Sequence, residues 1–265
     1  MEYISVGKEK LHYLKWGSGK RLLLAFHGYG NDATVFSPFA PYLSEVYTIL
    51  SFDLPHHGKS EWTEEILLTK KDLVSLIETL KATYKVDQVS LLGYSMGGRV
   101  CLTIIENTPA SVDKVVLIAT DGLVVNYYYY FFTQTYLGSK LFRYLLKNPG
   151  LAFKITDWLN SKKLVDSSRH KFFVKYLYPE DSRKFLQKVW PSMKDLVPSR
   201  TKLKKNIREY RIQVSIFMGS YDKIMPPALA EEFKTGLDTV ELFILEKGHR
   251  VFDEDNAEQI AERLL

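Results

Sequence analysis

The feature that most constrains this chain is a glycine-rich turn that joins an apolar run to a helical pattern. Gly93 and Gly97 flank Ser95 in a Gly-x-Ser-x-Gly pattern. The apolar run at 86–92 predicts a strand, and the residues at 99–106 predict a helix. A strand that turns at once into a helix leaves little room for a Cβ atom beside the turn, which explains the glycines. The pattern therefore predicts that Ser95 stands on a strained turn, with its hydroxyl raised at the strand end.

Composition narrows the class of protein. With 265 residues, 46% hydrophobic and 25% charged, the chain is long enough for one large α/β domain or a core with an insertion. No apolar run approaches the roughly 18 residues that span a bilayer, and no leader precedes the first strand-like residues, so we expect a cytoplasmic protein without an integral membrane segment. The single Cys101 and six scattered histidines match no metal site, so neither a metal nor a cofactor is predicted.

Strands and helices alternate along most of the sequence. Residues 1–54 read as a run of strands, and the alternation that follows predicts a parallel, doubly wound sheet with ligands at the carboxyl ends of its strands. Strands are predicted at 21–26, 46–52, 86–92, 112–119, 213–218 and 240–245, and those at 21–26, 46–52 and 213–218 are expected to be buried. Helices are predicted at 64–84, 228–235 and 252–265.

The segment 123–208 departs from this alternation. It holds 18 Lys and Arg against 5 Asp and Glu, and 17 of the 36 aromatic residues. Such a basic block could attract nucleic acid, an anionic membrane surface, or an acidic substrate or carrier, and the alternative is a solvated helical face. No nucleic-acid-binding motif is visible, so nucleic acid is not expected as a partner. Helical spacing recurs at 141–146, 151–159, 169–178 and 182–190.

Three motifs in this order resemble the α/β-hydrolase superfamily. They are His-Gly-x-Gly at 27–30, Asp-x-Pro-x-His-Gly-x-Ser at 53–60, and the pattern around Ser95. The resemblance covers residues 1–121 and 212–265, and His56 departs from it because related sequences commonly carry glycine there. It implies a mostly parallel eight-stranded sheet flanked by helices. The core domain would comprise residues 1–122 and 211–265, and residues 123–210 would form an inserted helical cap.

A serine nucleophile requires a base within hydrogen-bond reach and a third group that orients the base. His249 follows the last strand, as the catalytic histidine of the family does, and Asp222 follows the preceding strand. The order Ser95, Asp222, His249 is the one described for α/β-hydrolases. The backbone N–H groups of Met96 and Tyr29 are the expected oxyanion donors. Gly28 is assigned to the substrate-binding loop.

Several alternatives stay open. His56 and His57 could serve as bases, although the resemblance assigns them to a structural turn. His27 is expected to hold the oxyanion loop through backbone hydrogen bonds. Asp121 is the alternative acid, because some α/β-hydrolases place their carboxylate after this strand. Asp53 is interpreted as a turn residue.

Arg99 lies one helical turn beyond Ser95 on the same helix face. Its setting resembles the lyases that form 2-succinyl-6-hydroxy-2,4-cyclohexadiene-1-carboxylate, in which an arginine at this offset helps to hold a substrate carboxylate. The alternative is an ion pair with a neighbouring carboxylate.

The favoured function is a serine hydrolase that cleaves a carboxylic ester or thioester with an apolar acyl part through an acyl-enzyme. A C–C hydrolase or lyase acting on a small acidic substrate is the second hypothesis, and a non-catalytic binding protein with this fold is the third. The expected partner is a small molecule, which could be anionic. Peripheral membrane contact stays open, as does the choice between a monomer and a homodimer.

Overall fold

The computed structural model describes residues 2–162, 177 and 179–265. Eight strands form one sheet in the order β1-β2-β4-β3-β5-β6-β7-β8. Their bounds are β1 Glu2–Val6, β2 Glu9–Trp16, β3 Arg21–Phe26, β4 Tyr47–Phe52, β5 Val89–Tyr94, β6 Val112–Ile118, β7 Gln213–Gly219 and β8 Val240–Leu245.

The sheet is parallel from β4 to β8, and β1 and β2 pair antiparallel at one edge. All residues of β4 and β5 are buried. Strands that are apolar along their whole length are typical of a parallel sheet covered by helices on both faces. The prediction of a mostly parallel, eight-stranded sheet flanked by helices is therefore confirmed.

Two compact units make up the described chain. The first, here called the sheet unit, comprises residues 1–63, 68–124 and 195–265. Its helices are α1 Ala40–Leu43, α2 Lys70–Tyr84, α3 Met96–Asn107, α8 Arg200–Glu209, α9 Pro227–Lys234 and α10 Ala257–Ala261. The second, the helical unit, comprises residues 64–67 and 125–194. Its helices are α4 Tyr127–Gln134, α5 Tyr136–Lys147, α6 Pro149–Ser161 and α7 Glu180–Ser192.

The helical unit ends earlier than the insertion expected at 123–210, because α8 packs with the sheet unit. The side-chain amide of Asn206 donates to the carbonyl oxygens of Ile105 and Glu106, at 3.1 and 3.0 Å. Nearby, Leu203 and Ile207 are fully buried. The helix predicted at 169–178 lies almost entirely outside the described residues. A cap function for the inserted segment stays a prediction.

Three local predictions were wrong. Residues 33–43 were included in a run of strands, but they form a 3-10 helix, Ala33–Phe39, and α1. The helix predicted at 64–84 begins only at Lys70, because Thr69 and Asp72 exchange the hydrogen bonds of a capping box. The closing helix at 252–265 is reduced to Ala257–Ala261, because the Asn256 side chain bonds to the preceding backbone and competes with the helix.

Candidate active site

The candidate site lies at the topological switch point of the sheet. From β3 the chain crosses to β4 on one side, and β5 then pairs on the other side of β3. Ligands of open α/β sheets bind outside the carboxyl ends of the strands at such a point. Ser95 follows β5, and the loop 27–30 follows β3. This loop is called the oxyanion loop after the role that the sequence predicts for it. A Cβ atom placed on Gly28 would lie 3.1 Å from Cβ of Ser95, so this loop lies directly against the serine.

Ser95 occupies the strained turn that the sequence predicts. Its φ is 49° and its ψ is −115°, a conformation that residues with a side chain rarely adopt. The Ser95 N–H donates to the carbonyl oxygen of Ile118 at 2.9 Å, and the Ser95 carbonyl accepts the N–H groups of Gly98 and Asp121. These hydrogen bonds to two neighbouring segments hold the backbone in its strained conformation.

Two glycines permit the close packing around this turn. A Cβ atom on Gly97 would overlap the carbonyl oxygen of Phe26, and one on Gly98 would overlap the hydroxyl of Thr120. The first turn of α3 therefore approaches both neighbouring strand ends. Met96 is the first residue of this helix, where backbone N–H groups have no intrahelical acceptor and can bind an anion.

Ser95, His249 and Asp222 come together at the carboxyl ends of three strands. Nε2 of His249 lies 3.0 Å from Oγ of Ser95, and Nδ1 lies 2.7 Å from Oδ2 of Asp222. The Asp222 side chain is fully buried, and a quarter of the His249 side chain is exposed. A proton on Nδ1 directed at the carboxylate leaves Nε2 free to accept the serine hydroxyl, which is the geometry that nucleophilic catalysis by serine requires.

The loops that carry Asp222 and His249 are fastened to each other. The N–H of Tyr221 donates to the carbonyl oxygen of Lys247 at 3.0 Å. The hydroxyl of Tyr94 donates to the carbonyl oxygen of His249 at 3.4 Å, which ties the histidine loop to the residue before the serine. Sequence reasoning missed Tyr94, because its position in the Gly-x-Ser-x-Gly pattern accepts many residue types.

His27 is a buried residue whose two ring nitrogens hold the oxyanion loop. Its Nε2 accepts the N–H of Leu54 at 3.0 Å, so Nδ1 carries the proton and donates to the carbonyl oxygen of Gly28 at 2.8 Å. Complete burial lowers the pKa of His27 to about 4. The imidazole is therefore neutral near pH 7 and links the oxyanion loop to the turn after β4.

His57 holds the same loop from the other side. Its Nε2 accepts the N–H of Gly30 at 3.2 Å, and its Nδ1 donates to the carbonyl oxygen of Pro55 at 2.8 Å. Burial, with a smaller contribution from the neighbouring His27 ring, lowers the pKa of His57 to about 3. Because both ring nitrogens bond to backbone, His57 supports the loop, whereas Ser95 is hydrogen-bonded to His249.

The turn after β4 explains two further residues. The buried Asp53 carboxylate accepts hydrogen bonds from Nδ1 of His12 at 2.7 Å and from the N–H of Lys59 at 2.8 Å. It therefore organises the turn, as interpreted from the sequence. His56 has a φ of 65°, in the left-handed region that favours glycine. Glycine would therefore adopt this conformation with less strain than histidine.

Arg99 and Asp121 form a partly buried ion pair, with Nε of Arg99 3.4 Å from Oδ2 of Asp121. The Arg99 side chain is only 6% exposed. The structure thus places Asp121 beside Arg99, while Asp222 contacts the histidine. An ion pair with a neighbouring carboxylate was the alternative role for Arg99, and it agrees with this geometry. Among the described residues, no group of His, Cys, Asp and Glu side chains is arranged to hold a metal ion.

Residues 21–255 match the family model described as the alpha/beta hydrolase fold. The chain belongs to the α/β-hydrolase fold family. Proteins that resemble it include an uncharacterised hydrolase, YugF, of Bacillus subtilis, which is 24% identical over 93% of this chain and 89% of its own length. A pimeloyl-[acyl-carrier protein] methyl ester esterase of Legionella pneumophila is 32% identical over 114 residues, which cover 42% of each protein.

Solved structures of α/β-hydrolases share the fold. The MGS-M2 enzyme from a deep-sea metagenome library has a TM-score of 0.69 at 15% identity, covering 99% of this chain and 96% of that one. The esterase EaEST of Exiguobacterium antarcticum has a TM-score of 0.64 at 21% identity, covering 99% and 97%. The chain is thus an α/β-hydrolase family member with esterases among its relatives.

Proposed function

We propose that this α/β-hydrolase is a serine esterase that cleaves a carboxylic ester or thioester with an apolar acyl part. The observation that supports the proposal is the hydrogen-bonded chain from Ser95 through His249 to Asp222, with distances of 3.0 and 2.7 Å. Its position at the sheet switch point and the names of the esterase relatives agree with this choice.

The reaction follows from the geometry. Oγ of Ser95 attacks the acyl carbonyl carbon while its proton passes to Nε2 of His249, and the carbonyl π electrons move onto oxygen. The backbone N–H groups of Met96 and Tyr29 donate to this oxyanion. The tetrahedral intermediate then collapses, and the leaving alcohol or thiol takes the proton from His249. Asp222 keeps the imidazole oriented and stabilises its protonated form.

Water completes the cycle. It attacks the acyl carbon of the acyl-enzyme and gives one proton to His249, and the second tetrahedral intermediate expels Ser95, which recovers that proton. The products are a carboxylic acid and a free enzyme. The same residues could hydrolyse a C–C bond, but the pairing of Arg99 with Asp121 offers no support for a dedicated carboxylate clamp at Arg99.

A panel of p-nitrophenyl esters with acyl chains of increasing length tests the proposal. Wild-type protein should hydrolyse the panel, with kcat/KM rising as the acyl chain lengthens, and Ser95→Ala should lose nearly all turnover. Unchanged thermal unfolding of the variant establishes that the fold is intact. Absence of hydrolysis by folded wild-type protein across esters and thioesters, with turnover of a C–C substrate instead, would reject the esterase proposal.

A further inference from the structure

Helix α5 has two apolar faces. One is buried and holds Phe142, whose ring stacks on Trp190 at 5.4 Å between centroids. The other is exposed and holds Leu137, Leu141 and Tyr144, with exposed fractions of 70, 39 and 54%. Their spacing of four and three residues places them in one stripe along the helix. Packing among the described residues of the helical unit accounts for the first face but not for the second.

The neighbouring helices continue this pattern. In α6, Leu151, Ile155 and Trp158 have the same spacing of four and three residues and are 41, 38 and 55% exposed. In α4, Tyr127 and Tyr128 are 80 and 58% exposed. Single exposed apolar residues are ordinary, whereas recurring exposed stripes on consecutive helices are typical of an interaction surface.

Positive charge accompanies these stripes. Residues 127–162 contain five basic residues and one acidic residue, Asp157. Nζ of Lys140 lies 4.3 Å from the centroid of the Tyr136 ring, one helical turn away. The lysine side chain therefore lies beside the tyrosine ring on the surface of α5. The basic residues are all exposed: Lys140, Arg143, Lys147, Lys154 and Lys162.

We propose that the exposed aromatic and basic side chains of α4, α5 and α6 bind the surface of an anionic phospholipid bilayer. Tyr and Trp rings are favoured at the boundary between headgroups and acyl chains, and Lys and Arg are attracted by anionic headgroups. Helices of 8, 12 and 13 residues suit a position in the plane of the interface. Among the described residues, no helix is long and apolar enough to cross a membrane.

The charge pattern favours lipid over a protein partner. Lysine is depleted at protein–protein interfaces, whereas four of the five cations at 127–162 are lysines. Lipid headgroups solvate flexible ammonium groups without requiring a fixed partner for each. The bilayer surface therefore matches both the exposed apolar stripes and the exposed cations of the same segment.

The charge component is tested by co-sedimentation with vesicles. Wild-type protein should bind vesicles of phosphatidylcholine mixed with phosphatidylglycerol, bind phosphatidylcholine alone weakly, and be released by salt. The double variant Lys140→Glu with Lys147→Glu should lower the partition coefficient by about tenfold or more. The matched variant Lys202→Glu with Lys205→Glu makes the same change of net charge on exposed residues of α8 and should retain binding.

The apolar component is tested with a second pair of variants. Leu137→Ser with Tyr144→Ser should weaken vesicle binding, whereas Tyr210→Ser with Ile244→Ser, at comparably exposed positions of the sheet unit, should not. Tryptophan fluorescence should shift to the blue when wild-type protein binds. Trp158→Phe should remove most of that shift and retain most of the binding.

Three outcomes would overturn the proposal. Folded wild-type protein could fail to bind anionic vesicles, or the matched α8 variant could lose binding as strongly as the α5 variant. Leu137→Ser with Tyr144→Ser could also abolish hydrolysis of a short, water-soluble ester while vesicle binding persists, which would assign the stripe to substrate. Vesicle binding is measured without substrate, so its failure leaves the esterase proposal intact.

Discussion

Asp222 holds His249 with one carboxylate oxygen and the backbone of its own loop with the other. Oδ2 lies 2.7 Å from Nδ1 of His249, and Oδ1 accepts the N–H groups of Ile224 and Met225 at 2.8 and 2.9 Å. Each oxygen therefore faces donors only, which suits a carboxylate and not an amide. The orientation of the histidine depends on this arrangement.

Asp222→Asn should lower kcat by about 10³- to 10⁴-fold. The amide oxygen would keep the two backbone donors, so the amide N–H₂ would face Nδ1 of His249. The imidazole would then carry its proton on Nε2, where it cannot accept the Ser95 proton. Asp121→Asn serves as the matched control and should change kcat far less. Steady-state kinetics with one ester decide the ranking, and the reverse ranking would transfer the role to Asp121.

Much of this site could be predicted from the sequence, because its residues follow strand ends in a parallel sheet. The carboxyl ends of parallel strands lie along one edge, and the resemblance to α/β-hydrolases singled out Ser95, Asp222 and His249 among the residues that follow them. Tyr94 could not be recognised, because its hydroxyl acts on a residue 155 positions away. From the sequence, Arg99 could pair either with a substrate carboxylate or with a neighbouring carboxylate of the protein. Only the packing of α3 against the segment after β6 places it beside Asp121.

Stability should fall on acidification because His27 and His57 are buried in the neutral form. Their pKa values are lowered to about 4 and about 3, against about 6.5 in the unfolded chain. Below pH 6.5 the unfolded state binds more protons, so the free energy of unfolding decreases as pH falls. The contribution of each neutral histidine to the free energy of unfolding is complete above pH 6.5. As the pH falls, it is lost progressively towards pH 4 for His27 and towards pH 3 for His57. It is on the order of 3 kcal/mol for His27.

Urea unfolding of wild-type protein and His57→Gln between pH 7 and pH 4.5 checks this expectation. The variant has one fewer group that takes up a proton on unfolding, so its free energy of unfolding should depend less steeply on pH. Carboxylates contribute to both curves and cancel in the comparison. Parallel curves would show that the pKa of His57 is the same in the folded and the unfolded protein, and would contradict the expectation.

His56 should prefer glycine to alanine as a replacement. Its φ of 65° costs a residue with a Cβ atom about 1 kcal/mol, which glycine avoids. His56→Gly should therefore unfold at higher urea concentration than His56→Ala. The same two substitutions at Lys71, an exposed residue of α2, should rank in the opposite order because glycine disfavours a helix by about 1 kcal/mol. If the glycine and alanine variants ranked in the same order of stability at both positions, the strain at His56 would be contradicted.

Arg99 and Asp121 should be energetically coupled. A double-mutant cycle with Arg99→Gln and Asp121→Asn should give a coupling free energy of roughly 0.5–3 kcal/mol in urea unfolding, because the two charges are partly buried and close. Arg99→Gln should change kcat/KM for neutral and anionic short esters by similar factors. A selective loss of small carboxylate substrates would instead support the lyase-like role for Arg99.

The fold could be predicted where apolar periodicity is strong and failed where side chains compete with the backbone. Continuous apolar runs identified β3 and β4 almost to the residue, whereas the run at 86–92 begins three residues before β5 and ends two residues short of it. The last helix was overestimated because the hydrogen bonds of Asn256 to residues 251 and 253 leave no periodic signal. The residues of α8 were included in the expected insertion at 123–210, because the sequence does not show against which unit a segment packs.

Labelling with a fluorophosphonate distinguishes a nucleophilic serine from an ordinary one, because the probe reacts far faster with a serine hydroxyl that a base activates. Intact mass and peptide mapping should show one adduct per chain, located on Ser95. The adduct should be absent from Ser95→Ala and should form far more slowly in His249→Ala. Failure of folded wild-type protein to react, or equal labelling of Ser95→Ala, would contradict the assignment of Ser95 as the nucleophile.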